Sequence, residues 1–208
     1  MTLIASLTLG GEPVLISDRL LTTPNTGSED PIPTINRKHS LLKLDDDYQF
    51  IGICSKYMIV NKTLVVGWAG NLASANRILQ AIEQSAATIS DRIEFLEQFL
   101  IANHREDFEK VRLIMHQFEG NNVYHAWSNF SRNIGRAGIE LSCIGSAGDD
   151  LRSLFDQLPF DSLIKDRSGS HASIVALGMT GLLLANELLT GRANQRGHVV
   201  TCRQLTGE

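Results

Sequence analysis

Alternation of apolar and polar positions sets in at the third residue of the chain. Leu3 to Leu9 and Pro13 to Ser17 are β-prone runs joined at Gly10-Gly11, a dipeptide that supplies the positive φ angles of a tight turn. The pattern predicts a hairpin that begins at residue 2. It then breaks: "LTTPNTGSEDPIPTINR", residues 21–37, holds three of the five prolines and has no period, which predicts a long irregular loop. Two further strands are expected, His39 to Leu44 and Tyr48 to Cys54, on either side of the acidic turn Asp45-Asp46-Asp47. Thr63 to Val66 then runs into "GWAG", whose glycines end the strand.

From Asn71 the period becomes helical. Leu72, Ala75, Ile78, Leu79 and Ile82 share one stripe, with Asn71 placed as N-cap. A second helix is expected from Ser90, capped by that serine, with Ile93, Leu96, Phe99 and Leu100 inward. "VRLIMHQFEGNNVYHAWSNF" reads as a hairpin around Gly120-Asn121, and "IELSCIG" as another strand. A short helix near Asp150 to Gln157, a longer apolar one near His171 to Leu189 and a closing strand in "HVVTCRQL" complete the series. Strands and helices come in blocks, which disfavours a parallel βαβ fold. The order fits an α+β protein, a four-layer αββα sandwich of two antiparallel sheets with a helix pair outside each.

Composition adds bounds. The 208 residues suit one domain, 1–208, and 43% hydrophobic with 20% charged residues is globular composition. A net charge of -4 leaves no basic stripe for nucleic acid or anionic lipid, so neither partner is expected. The longest apolar segment, Ile174 to Ala185, is shorter than the roughly 20 residues that span a bilayer. Cys54, Cys143 and Cys202 are far apart and form no C-x-x-C pair, which fits a reducing cytoplasm and no zinc site. The amino-terminal stretch has no Lys/Arg-bearing leader pattern.

The residue behind the initiator Met is a threonine, and this opens a chemical reading. A threonine hydroxyl is a weak nucleophile that needs a base within hydrogen-bond reach, and a threonine exposed at the amino terminus carries one, its own α-amine. Free α-amines titrate near 7.7 to 8.0, and a nearby ammonium lowers that value by like-charge repulsion. The chemistry therefore requires Thr2 freed of Met1, a lysine beside it, an aspartate to hold the lysine, and backbone N–H groups for the oxyanion. If Met1 persists, the α-amine belongs to Met1 and the base is lost.

The sequence resembles the proteasome family of N-terminal-nucleophile hydrolases, especially its bacterial two-ring threonine proteases. The residues that carry the resemblance are Thr2, "VLISD" ending at Asp18, "KHSLL" starting at Lys38, "GWAGNLASA" with Gly67, Ala69 and Gly70, and "IGSAG" with Gly145, Ser146 and Gly148. The resemblance implies that Thr2 is nucleophile and base, that Lys38 lowers the amine pKa with Lys43 as a poorer substitute, and that Asp18 pairs with Lys38. It further implies that the Gly70 N–H forms the oxyanion hole, that Ser146 steadies the amine, and that Trp68, with Gly67, lines the substrate pocket and restricts its depth. Gly70 also has a reading of its own, since a strand-to-helix junction presents outward N–H groups. The implied partners are a peptide or unfolded polypeptide substrate, further copies in a ring, and an ATPase unfoldase; no cofactor and no metal is implied. The Asp18 to Lys38 segment is longer than the family's, "SKYMIVN" extends the sheet before Gly67, and "GRANQRGHVVTC" lacks the family's Asp-x-x-Ser.

Two other readings stay open: a proteasome-fold subunit without catalysis, acting as a structural or regulatory partner, and a small-molecule amidase. Ser146 as a hydrolase elbow would need G-x-S-x-G, and the chain has I-G-S-A-G. His116 and His125 would face each other if Phe118 pairs with Val123, but no third ligand has suitable spacing for a metal. Met58, Met115 and Met179 and the aromatic set Phe95, Phe99 and Phe108 are expected in the core. Glu94, Glu97, Glu106 and Asp107 are expected on a solvated helix face.

Overall fold

The computed structural model describes residues 3–9, 12–18, 20–24, 48–119, 122–129, 134–136, 139–145, 148–157, 178 and 200–204. The opening hairpin forms as its alternation requires: β1 (Ile4–Leu9) pairs antiparallel with β2 (Glu12–Asp18), Ile4 opposite Ser17. Strand β3 (Leu20–Pro24) follows and pairs with β4 (Tyr48–Ile53). Residues 21–24 of the expected irregular loop are thus strand; a partner more than twenty residues away supplies the ladder that local sequence does not announce. The strand expected from His39 to Leu44 lies outside the described residues, as do the turns at Gly10-Gly11 and Gly120-Asn121.

Next come β5 (Tyr57–Ile59) and β6 (Leu64–Gly70). Helix α1 (Leu72–Thr88) has the predicted N-cap, with Asn71 Oδ1 accepting from the Ser74 N–H at 3.0 Å. Helix α2 (Ile93–Asn103) buries Ile93, Leu96 and Leu100, and a short α3 (Arg105–Phe108) links it to β7 (Val111–Glu119). Strands β8 (Asn122–Ser128), β9 (Ile134–Arg136) and β10 (Ile139–Ile144), helix α4 (Gly148–Gln157) and strand β11 (Val200–Gln204) complete the described elements. The helix expected from His171 to Leu189 lies outside the described residues apart from Gly178.

One sheet has the order β11-β2-β1-β10-β9, a second β5-β6-β7-β8, and β3-β4 form a two-stranded ribbon. The period of two sorts the buried strands onto two faces. From β6 and β7, Leu64, Val66, Trp68, Val111, Leu113 and Met115 pack against Ala75, Ile78 and Ile82 of α1 and Leu96 and Leu100 of α2. The alternate residues Val65, Ala69, Ile114 and Phe118 meet Ile4, Leu15 and Ile144 of the other sheet. Each large aliphatic side chain so enclosed contributes about 1.5–3 kcal/mol. Helix α4 covers the far side of the first sheet, where Gly148 approaches Cys143 and Arg152 donates to the Cys143 carbonyl at 3.0 Å. Helices therefore lie outside two facing antiparallel sheets, as the block order predicts.

Three local expectations are corrected. The α2 N-terminus is not capped by Ser90: the Ser90 hydroxyl accepts from the Arg92 N–H at 3.2 Å, while the Ile93 N–H donates to Gln117 Oε1 at 3.2 Å. Phe118 does pair with Val123, but a register shift between Gln117 and Phe118 sets His116 opposite Ala126 and Gln117 opposite His125, so the two histidines are not cross-strand partners. Asp107 does not sit idle on a solvated face; it takes a two-pronged bond from Arg77, at 2.7 and 2.5 Å, that ties α3 to α1, and that bond holds its carboxyl well below the ordinary carboxylate range. The turn before β6 is stitched to the start of α2, with the Thr63 hydroxyl and Asn61 Nδ2 both donating to Asp91.

Gln117 is 9% exposed, so its amide cap on α2 has little competition from water. Gln117→Ala leaves the Ile93 N–H without its acceptor. It should lower stability by about 1–2 kcal/mol, read as a lower urea midpoint at unchanged slope.

Candidate active site

The candidate site lies beside a close contact between the two sheets. A Cβ on Gly67 would lie 2.9 Å from Ile4 Cγ2 and 3.5 Å from Leu15 Cδ1, so β6 has a glycine there because β1 and β2 press against its backbone. Gly67 is consequently buried under the first hairpin, a packing position. The register gathers further ends at this point. Ile4 stands opposite both Ser17, next to Asp18 at the end of β2, and Ile144, the last residue of β10. Asp18 itself faces Val200 of β11 in the register. The start of β1, the end of β2 and the end of β10 thus share one end of a sheet, held against β6 three residues short of Gly70.

Gly70 closes β6 with φ +122°, and a Cβ there would meet the Lys110 carbonyl oxygen at 2.4 Å. Only glycine fits this backbone without displacement. The ladder also fixes where its N–H is aimed. The Phe118 N–H donates to the Thr63 carbonyl at 2.8 Å and the Asn71 N–H to the Lys110 carbonyl at 3.2 Å, so odd-numbered residues of β6 bond to β7. Even-numbered ones bond toward β5, as the Trp68 N–H does to the Lys56 carbonyl at 2.8 Å. The Gly70 N–H therefore points to the β5 side, two residues beyond that bond and directly before the capped N-terminus of α1, where partial positive charge collects. That is suitable geometry for a donor to developing negative charge.

Lys56 was not singled out by the sequence reading and is the least expected residue of this region. It is 1% exposed and stands first among the largest fully buried side chains. Lysine is almost never fully enclosed unless something compensates it. It immediately precedes β5 and lies opposite Trp68, so the two share a face of the sheet, the face that Gly70 continues. A sequence signal existed: "KYMIV" is a lysine heading an apolar run, the same pattern as "KHSLL" at Lys38. Trp68 is 3% exposed and packs in the helix-facing layer, with Leu21, Cys54 and Leu72 partly buried around that cluster. Its indole is mostly enclosed by protein.

Thr2, Lys38 and Ser146 lie outside the described residues. Ser146 follows Gly145, which has φ +91° and whose carbonyl accepts from the Gly148 N–H at 3.1 Å at the start of α4. Burial pushes the Cys143 thiol up to about 12, which makes it inert as a nucleophile. Among the described residues no group of three His, Cys, Asp or Glu side chains could hold a metal ion, and no helix is long and apolar enough to cross a membrane. Among the described residues, Asp18 and the end of β10 before Gly145 share the sheet end where β1 starts, while Lys56 and Gly70 lie along the β5–β6 side of the second sheet.

The sequence matches no protein-family model and no curated protein. Solved structures do match, 466 chains in all. One is eukaryotic HslV from Trypanosoma brucei, with a TM-score of 0.59 at 15% identity over 98% of this chain and 99% of that one. The architecture is therefore one that HslV shares, consistent with a proteasome-like fold.

Proposed function

We propose that the chain is a threonine-type peptidase whose nucleophile is Thr2 after removal of Met1. The observation that supports the reading is a left-handed glycine at a helix N-terminus and a fully enclosed lysine, both along the β5–β6 edge of the sheet on which Ile4 of the first strand rests at Gly67. In the proposed reaction the Thr2 α-amine takes the proton as Oγ1 attacks the scissile carbonyl carbon. The Gly70 N–H receives the resulting oxyanion, the proton passes to the departing amine, and an ester to Thr2 remains. Water, deprotonated by the same amine, then cleaves the ester.

In this reading Lys56, rather than Lys38, supplies the ammonium that depresses the α-amine, and Asp18 is its counter-charge. Two facts support the reassignment. Lys56 is enclosed on the Gly70 face of the sheet, and it heads the strand paired with β6. The extra residues between Asp18 and β5 explain why a search along the sequence stops at Lys38 first. Ser146 keeps its expected role of steadying the amine. Trp68 fills the space between β6 and α1, so the reading expects small side chains on the substrate residue that donates the carbonyl. Assembly into a ring and feeding by an ATPase belong to the same proposal.

The test begins with intact mass of the native protein, which should lack one methionine, and with Thr2→Ala, which should keep the fold and lose at least ~1000-fold in peptide turnover. A retained Met1 in the native protein, or turnover undiminished in Thr2→Ala, contradicts the reading and leaves a scaffold subunit. Lys56→Ala should cost about 100-fold or more, with little change for Lys38→Ala. The reverse ranking restores the assignment to Lys38.

A further inference from the structure

The seam between the sheets is formed by Ile4 and Leu15 from β1 and β2, Val65 and Ala69 from β6, Ile114 and Phe118 from β7 and Ile144 from β10, with Tyr57 of β5 packed against it. His116 lies between Ile114 and Phe118 on β7, opposite Val65 of β6 and Ala126 of β8, so alternation gives it the same face. Its ring centroid is 6.5 Å from that of Phe118. The residue is 0% exposed, and among the described residues neither Nδ1 nor Nε2 has a hydrogen-bond partner. A neutral imidazole has one donor and one acceptor, and enclosing both unmet is costly where leucine would fill similar space without loss. Nothing in the proposed reaction uses this histidine.

We infer that His116 makes the seam acid-labile: the sheets close around a neutral imidazole, and proton uptake there requires the seam to open to water. Alternation and register give the seam-facing parity to three charged residues, Arg112 four residues back on β7, the exposed Glu140 on β10 and Arg203, opposite Leu15, on β11, and among the described residues His116 bonds to none of them. Tyr57 is the titratable side chain of β5 on this layer, and His125 of β8 stands opposite Gln117 in the register. Among the described residues no carboxylate is bonded to the ring to stabilise an imidazolium. Burial alone pushes the His116 pKa down to about 4, whereas an imidazole in an unfolded chain titrates near 6.5. The unfolded chain therefore binds the proton first. Stability should fall as pH drops from about 6.5 toward 4 and level off below that.

The consequence reaches the candidate site, because the start of β1 and the end of β6 lie on opposite sides of this seam. Acid then parts the two halves of the site from within, whether or not the chain is a peptidase. The test is urea unfolding of the full chain between pH 8 and pH 4, followed by circular dichroism, for the wild type, His116→Leu and His116→Gln. Other titrating groups are common to all three proteins, so the difference isolates position 116. Both variants should lose less stability than the wild type across the window from 6.5 to 4, and His116→Gln, which keeps a polar side chain but cannot titrate, separates protonation from desolvation. Superimposable pH profiles for the three proteins overturn the inference. If the variants do not fold, carbon NMR of labelled histidine in the wild type decides: a His116 ring that titrates near 6.5 with the folded spectrum intact also overturns it, and one that stays neutral until the fold is lost supports it.

Discussion

The close approach of two sheets at Gly67 is the constraint from which the rest of the arrangement follows. Because no Cβ intervenes, Ile4 and Leu15 rest on the β6 backbone, and the start of β1 is fixed against the second sheet. The ends of β2 and β10 are carried to the same place by their register with β1. Gly70, three residues further along β6, then has no freedom in position. Its left-handed backbone and the Lys110 carbonyl behind it lock the turn into α1. The proposed site draws on four separate segments and needs such a contact, since each segment alone is a strand end with no reason to meet the others.

The support around this contact is of two kinds. Behind β6 and β7, enclosed aliphatic and aromatic side chains of α1 and α2 supply the bulk of the burial. At the ends of those helices, polar links fix their placement: Asn71 on α1, Gln117 on α2, Arg77 to Asp107 between α1 and α3, and Asp91 to the turn before β6. Burial is undirected, whereas these bonds set register and angle. Helix α1 therefore presents its N-terminus beside Gly70, which makes the junction a place where negative charge is favoured.

Much of the fold was legible in the sequence wherever a local period carried it. The hairpin of β1 and β2, the Asn71 cap with its Ala75, Ile78 and Ile82 stripe, the β7 and β8 hairpin, β10, α4 and the closing strand follow from alternation or from caps a few residues away. What escaped depends on distant partners. Residues 21–24 are strand because Tyr48–Ile53 lies alongside them; the α2 cap comes from Gln117, 24 positions on. A single bulge removed the pairing of His116 with His125. In the candidate site, Gly70 was legible because a strand running into Ala-Gly before a capped helix is a local signal. Lys56 was not, because enclosure of a lysine is a tertiary fact, and residues inserted ahead of β5 put an equally patterned lysine earlier in the chain.

A single proposal joins these observations: Thr2, the Gly70 N–H and the enclosed Lys56 form one site at the end of β6 that the contact between Ile4 and Gly67 holds against β1. The most direct measurement is an experimental structure of the native protein that fixes the distance from Lys56 Nζ to the Thr2 amine and hydroxyl. The account predicts a free Thr2 within about 3.2 Å of that nitrogen, with the hydroxyl facing the Gly70 N–H. A Lys56 side chain directed away from an ordered Thr2, or a chain still beginning at Met1 in the pocket, would contradict it.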